Sequence, residues 1–372
     1  TKIDVHDLTE FKNAIAIDNT TIELKNDINI NENVEIKAKN ITINGNAHRI
    51  NIISNASTNN GTNTSALVVK AKNTVLSNFA VYNDTTKPGL TLYGAENAEL
   101  SDIQIVGKNP DTVTDKTERS GVALDIYKTT VKLKNIKSSN SLYRDFQVRG
   151  GSTVEIKKKN DHSTGGAVHI QSIKKKDDKK DNEIKDASDY YYKGGEFEEN
   201  GETKVDYFLK VEKEANTLED ILEGVQYAGT VVKLKKNIKI EPTDLPEDKK
   251  YLAIEVQRNV IIEGDGHTLD LNNLGTFVLK GKDIIVKKLK IENSREHGVN
   301  IYNSRNALLE EVEVSNSNEH GIFVNGSTVV LRDVSTFYNK DAGINITRAR
   351  SLRSASHFDS VVEVEGTLTQ NE

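Results

Sequence analysis

Apolar and polar residues alternate in short runs along most of this chain, and toward the C-terminus the runs recur at a nearly fixed interval. Gly275, Gly298, Gly321 and Gly343 stand 23, 23 and 22 residues apart. Laid over one another, the segments that follow put Thr276, Val299, Ile322 and Ile344 in one column. Val278, Ile301, Val324 and Ile346 fall in another. Val286, Leu309 and Leu331 make a third column. Leu289, Val312 and Val334 make a fourth, and Ile291, Val314 and Thr336 a fifth. Alternation of this kind is the period of a strand, not of a helix. A unit of three short strands and their turns cannot bury its apolar face alone. Stacked as coils about 4.8 Å apart, such units bury a continuous core. The pattern predicts a parallel β-helix, with Asn, Ser, Gly and Asp at the turns, as in Asn316–Ser317–Asn318 and Asn325–Gly326–Ser327.

The N-terminal half carries the same ladder with interruptions. Leu67–Val69, Leu90–Leu92, Val122–Leu124 and Phe146–Val148 read as one set of strands. Val75–Leu76, Leu100, Val131–Leu133 and Val154–Ile156 read as the next set. Two polar stretches, Ser54–Ser65 and Gly107–Ser120, read as loops that project from the coils.

A longer repeat lies over the short one. Asp7–Ile15 has a counterpart in Thr217–Val225. The strand runs at Ile22–Leu24 and Ile28–Ile30 return at Val232–Leu234 and Ile238–Ile240. Asn40–His48, with its turn at Gly45, returns as Asn259–His267, with its turn at Gly264. The offset is 210 at the start and 219 at the glycine turn, so nine residues are inserted in the second copy, most simply within 241–250. A repeat this long means two modules of one architecture. Leu218, Ile221, Leu222 and Val225 fall on one helical face. Thr217 with Asp220 forms a capping-box pattern, and Asp7 with Glu10 offers a similar one. Each helix is expected to lie across the open end of a solenoid, where core and unpaired backbone would otherwise be exposed. The predicted organisation is all-β. It comprises two tandem right-handed parallel β-helices at 1–186 and 213–372, each with an N-terminal capping α-helix, joined by a linker or hairpin at 187–212.

Composition narrows the partners. Net charge is −6, which disfavours nucleic acid. No apolar run approaches the ~18 residues of a membrane span. With no cysteine there is neither a disulfide nor thiolate chemistry. The chain also lacks methionine, even at position 1, and is expected to be part of a longer protein. The one basic tract, Lys174–Asp181, is interleaved with acids and reads as a solvated connector.

The turn before the first strand of each late coil is the most suggestive site. Glu296–His297–Gly298 recurs as Glu319–His320–Gly321 and then as Asp341–Ala342–Gly343. Stacking would align Glu296, Glu319 and Asp341 in an acidic column, with His297 over His320. Acids so close raise one another's proton affinity unless a cation intervenes. The column would suit a divalent ion such as Ca²⁺, a pH-sensitive patch or a strip that binds sugar. It would equally suit a turn consensus kept for packing, with glycine taking the special backbone angle. Arg348, Arg350 and Arg353 crowd the last coil and would grip a carboxylated ligand or dress an exposed end. Asp161–His162 and His169 read as scattered surface polar residues, and His48 and His267 as residues with a shared structural role. No catalytic set and no dedicated metal or cofactor site stands out.

The coil grammar, Gly–Ile–x–Val after an Asn/Glu/His turn, resembles that of the pectate-lyase-like β-helix superfamily. The stretches "TIELKNDINI" and "ITINGNAHRI", with their partners "VVKLKKNIKI" and "VIIEGDGHTL", look like the pectate-lyase-like adhesive domain of Gram-positive surface proteins. The resemblance implies a non-catalytic adhesin at the cell wall, outside the cell, binding a glycan or protein of a host surface. Two other roles remain open to it. One is a polysaccharide lyase or glycoside hydrolase, which needs a base or paired carboxylates. The other is a spacer without a ligand.

Overall fold

The computed structural model describes residues 1–54, 56, 63–142, 144–157, 161–162, 169–350 and 357–371, with backbone alone at 161–162, 189, 349–350, 357–358 and 371. The chain divides into two compact units, Thr1–Leu209 and Lys210–Glu372. Each is a parallel β-helix with three faces and its own apolar core.

Each unit begins with a strand that the alternation did not announce. Lys2–Val5 pairs in parallel with Thr21–Leu24, and Val211–Ala215 pairs with Thr230–Leu234. Between them lie the helices α1 (Leu8–Ala14) and α2 (Leu218–Gly224). Asp7 caps α1 by accepting from the Glu10 N–H at 2.8 Å, while the Glu10 carboxylate accepts from the His6 N–H. In α2 the box is complete. Thr217 Oγ1 accepts from the Asp220 N–H, and the Asp220 carboxylate accepts from the N–H groups of Thr217 and Asn216. Phe11 and Ala14 of α1, and Leu218 and Ile221 of α2, join the core of the unit that each helix closes.

Successive coils then pair strand on strand in register. In the second unit Val299, Ile322 and Ile344 form one interior column, and Leu279, Ile301, Val324 and Ile346 the next. This corrects the expectation at the first of these coils. There the inward residues are Phe277 and Leu279, not Thr276 and Val278, because Val278 pairs with Asn300. With a side-chain period of two, a one-residue slip exchanges the faces. Gly275 opposes Leu252, so its spacing from Gly298 does not mark the same place in the coil. Likewise in the first unit, the strand expected at Val122 starts at Leu124, leaving Val122–Ala123 in the turn.

Turns are shaped by asparagine. Asn19, Asn40, Asn73 and Asn97 all hold φ between 54° and 59°, a left-handed conformation that Asn tolerates better than other non-glycine residues. The side-chain amides of Asn40, Asn73 and Asn97 each donate to the one in the coil before, at 2.7–2.8 Å. Gly45 and Gly264, the paired turn residues of the two copies, are glycine because the next coil runs against them. A Cβ at Gly45 would sit 2.5 Å from Asn78 O, and one at Gly264 would sit 2.4 Å from Lys288 O. His48 and His267 do play the same part, since each accepts, through its backbone carbonyl, from the next coil's N–H at Ala80 and Lys290.

On the outer side of one face of the second unit, Glu214, Lys233, Glu263, Lys287, Glu310, Arg332 and Glu365 stand in one register column. The sign of charge alternates at every step. The first unit has a shorter version, Glu99, Lys132, Glu155 and Lys185.

The stretch expected to be a linker or hairpin holds a hairpin, Phe197–Glu199 with Glu202–Leu209, and lies in the first unit through Leu209. Glu202–Leu209 pairs antiparallel with His169–Lys175, and Tyr191–Lys193 and Phe197–Glu199 pair with it in turn. Tyr191, Tyr207, Phe208 and Leu209 are buried. The antiparallel strand occupies the edge that the last parallel coil would expose, which is why this segment folds onto the solenoid instead of spanning freely. The basic tract 174–181 runs from His169–Lys175 to Glu183–Lys185, inside the last coil of this unit.

Candidate functional site

One face of each unit holds the chemistry. In the first unit it comprises Val34–Ile36, Leu67–Val69, Leu90–Tyr93, Leu124–Tyr127, Phe146–Arg149 and His169–Lys175. Leu90, Leu92, Leu124, Ile126, Phe146 and Val148 point into the core. The residues between them therefore form two outward columns. The first runs Val68, Thr91, Asp125, Gln147, Gln171. The second runs through Tyr93, Tyr127, Arg149 and Ile173.

The outward columns of this face are mostly covered. Asp125 is fully buried, and a buried carboxylate needs partners. It has three: Arg149 Nε at 3.1 Å and Nη2 at 3.0 Å, and Gln147 Nε2 at 2.9 Å. Gln147 Oε1 in turn accepts from Arg144 at 2.8 and 3.2 Å. Burial pulls the Arg144 guanidinium below its ordinary proton affinity, and the nearby Asp206 opposes that shift. Next to this network lies a second one. His169 is 7 % exposed, its Nε2 is 2.7 Å from Asp206 Oδ1, and its ring stacks on Phe208 at 4.3 Å. Gln171 donates to the same Asp206 oxygen at 2.8 Å. His169 is thus part of a buried network and not the surface residue its sequence context suggested. The side chain of His162 lies outside the described residues.

Above the buried layer is a cavity of about 270 Å³ lined by Tyr93, Tyr127, Gln147, Arg149, Lys175 and Asp178, among others. The rings of Tyr93 and Tyr127 are 4.9 Å apart and tilted by 44°. Lys128 and Arg149 lie over Tyr127 at 5.1 and 4.9 Å, and Lys70 lies over Tyr93 at 5.6 Å. Gly150 has φ of 68°, and a Cβ there would fall 2.6 Å from the Tyr127 ring, so glycine lets the ring lie flat against the coil.

In the second unit the structure stacks the residues singled out from the sequence. The Glu319 N–H donates to Glu296 O and the Asp341 N–H to Glu319 O, both at 3.2 Å, so the three acids do form a column. The His297 and His320 rings lie 5.2 Å apart and within 13° of parallel. Phe323 joins them, 4.2 Å from His297 and 5.7 Å from His320. His320 Nδ1 accepts from the Ala342 N–H at 3.1 Å, which requires the proton on Nε2. Nε2 faces the Asn345 side-chain amide at 2.9 Å, and with the proton there the amide must present its oxygen. His297 Nδ1 is 3.0 Å from Glu319 Oε2 but does not meet hydrogen-bond geometry. Burial holds the His297 imidazole below the usual histidine range, against the pull of Glu319. Arg348 is not drawn into the column. It pairs with Asp359 at 2.8 Å. The side chain of Arg350 and all of Arg353 lie outside the described residues. Among the described residues no group of three or more His, Cys, Asp or Glu is placed to hold a metal ion, and no helix is long and apolar enough to cross a membrane.

The family comparisons agree with this architecture. Residues 212–357 match the right-handed β-helix region family, and residues 2–141 match a family described as a pectate lyase-like adhesive domain. The first unit is similar to a pectate lyase-like adhesive domain over residues 2–141. Both units are right-handed parallel β-helices. No curated protein sequence matches the chain. Among solved structures, PfbA, a surface adhesin of Streptococcus pneumoniae, is similar at 10 % identity over 90 % of this chain and 85 % of its own, with a TM-score of 0.29. An alginate lyase from Paenibacillus sp. is similar at 10 % identity over 99 % of this chain and 97 % of its own, with a TM-score of 0.19. The periplasmic alginate epimerase AlgG is similar at 10 % identity over 99 % and 83 %, with a TM-score of 0.22. TM-scores this low carry no argument about site or activity.

Sequence reading missed the polar network of the first unit. Tyr93, Tyr127 and Arg149 are 34 and 22 residues apart, and the loop 107–120 hides the column that they share. The usable signal was chemical: Asp125 lies between Leu124 and Ile126 in a strand that is otherwise apolar.

Proposed function

We propose that this chain is the ligand-binding part of a surface adhesin, located outside the cell, and that it binds a glycan in the cavity above Asp125 without transforming it. One observation carries the reading. Inside a module of adhesive-domain type, two tyrosines, an arginine and a glutamine converge on one outward cavity, and a buried carboxylate fixes two of them in place. Rigid aromatic rings beside planar, pre-positioned donors suit sugar rings and their hydroxyls. The acidic and imidazole groups nearby support binding over catalysis. Asp125 is engaged by three donors, and His169 is held between Asp206 and Phe208. In the second unit the rings of His297, His320 and Phe323 occupy one another's faces. That leaves Glu296, Glu319 and Asp341 as the groups this column offers to a ligand, in keeping with a secondary contact.

A glycan array probed with the whole chain tests the proposal. Binding is expected to fall at least about tenfold in the double variant Y93A/Y127A, since stacking and contact on an aromatic contribute on the order of 1–3 kcal/mol per ring. Unaltered binding by that variant would remove the cavity from the account. Release of unsaturated sugar from a polyuronate, with or without Ca²⁺, would replace the adhesin with a lyase. An empty array and no attachment to host cells would favour a spacer.

A further inference from the structure

We infer that the ligand of this cavity carries a negative charge, as a carboxylate or a sulfate; the inference rests on reading the cavity as a glycan site. In the two alternating columns the lysines face glutamates on the neighbouring coils. Lys132 and Lys185 alternate with Glu99 and Glu155, and in the second unit Lys233 and Lys287 alternate with Glu214, Glu263 and Glu310. Around the cavity that rule lapses. Lys128, Lys175 and Lys180 are exposed, and among the described residues none of them makes an ion pair. Lys175 lines the cavity, Lys128 lies over the lining Tyr127, and Lys180 packs on Gly151, next to the lining Gly150.

The carboxylates nearby offset these charges only in part, since Asp178 is the one acid lining the cavity among the described residues, against three lysines around it. Asp178 Oδ2 accepts from the Lys175 backbone N–H at 2.9 Å. Asp125 is spent on Arg149, whose Nε and Nη2 it holds, leaving Nη1 of the guanidinium for another acceptor. The tyrosine faces are partly taken as well, with Lys128 and Arg149 over Tyr127 and Lys70 over Tyr93. A neutral sugar stacking on these rings gains nothing from the cations that share their faces. A carboxylate or sulfate finds an arginine edge and three ammonium groups without an ion pair, groups that form charge-assisted hydrogen bonds. The excess is local, since the chain as a whole carries −6. Lys128 and Arg149 are matched in the second unit by Gly326 and Thr347, which are uncharged.

The test uses the full chain and three probes in titration calorimetry: dextran sulfate fragments (sulfated), hyaluronan fragments (carboxylated) and dextran fragments (neutral). One or both acidic probes are expected to bind, and which of them binds separates sulfate from carboxylate. Affinity should fall steeply as salt is raised. K128E/K175E/K180E should weaken binding at least about tenfold. K236E/K239E/K340E, three exposed lysines of the second unit reversed as a control, should stay within about twofold. Equal loss in the two triple variants would reduce the effect to general surface charge and overturn the inference. So would dextran binding as tightly as the acidic probes while Y93A/Y127A still abolishes it, and that result would leave the glycan reading standing. Binding of no probe, together with an empty array, overturns that reading and this inference with it.

Discussion

The two units share the first half of the outward face that bears the cavity and diverge in the second half. In the first two coils, Glu35 pairs with Lys70 at 2.6 Å, and at the matching places Glu255 pairs with Lys280 at 2.9 Å. Val68 matches Val278, and in the third coil Tyr93 matches Tyr302. From the fourth coil on, Asp125, Tyr127, Gln147 and Arg149 stand where the second unit has Phe323, Asn325, Asn345 and Thr347. The inward neighbours stay aliphatic or aromatic in both. The interior stacks carry the fold, so outward residues can change one coil at a time without disturbing it. A charged, buried network and a neutral stack of rings are two solutions on one scaffold.

The far ends differ too. In the first unit the antiparallel strand Glu202–Leu209 covers the last coil. In the second, Ile346 and Val364, which continue interior columns, are 52 % and 48 % exposed.

The largest difference between the units should appear when the buried acid is removed. Asp125→Ala strands the Arg149 guanidinium and should cost the first unit about 3–5 kcal/mol. Its positional counterpart, Phe323→Ala, should cost the second unit about 1 kcal/mol. Urea unfolding with hydrogen exchange to localise the loss will tell them apart; equal costs would mean that the network is no more than solvated decoration. The caps come next. Thr217→Ala should cost about 1 kcal/mol and Asp7→Ala somewhat more, because the Asp7 carboxylate accepts from its helix N–H at 2.8 Å and the Thr217 hydroxyl at 3.2 Å. Thermal melts of the two variants read the difference directly. Glu310→Lys places three cations in succession on the alternating column, between Lys287 and Arg332. A loss of up to about 1 kcal/mol is expected, fading at high salt, and no salt dependence would mean that the column is ornamental. The smallest effect is one of pH. His297 has its proton affinity lowered by burial, so the folded second unit prefers the neutral ring. That preference stabilises fully above the unfolded pKa of about 6.5. It is lost as pH falls through that value toward the lower folded one. An NMR titration placing His297 above 6.5 would reverse the sign.

Much of the fold was legible because the columns from Val299 onward recur at 22 or 23 residues with nothing inserted. The slip at Gly275 shows the limit. Equal glycine spacing invited alignment, but Gly275 packs toward Ile240 and faces Leu252, whereas Gly298 lies against Gly321 O. Glycines kept for different neighbours look alike in sequence. The opening strands, Lys2–Val5 and Val211–Ala215, were hidden because each has a neighbouring coil on one side only and so needs less apolar patterning. Of the candidate site, the histidine stack was legible because its coils are equal in length. The cavity was not, because the loop between Tyr93 and Tyr127 differs in length from the next one.

The alternating column in the second unit also constrains how such a rod can grow. Removing or adding a single turn of the spiral would set two like charges about 4.8 Å apart, whereas changing by two turns, or copying a whole rod, keeps every neighbour opposite. Lengthening by even steps is then the permitted route.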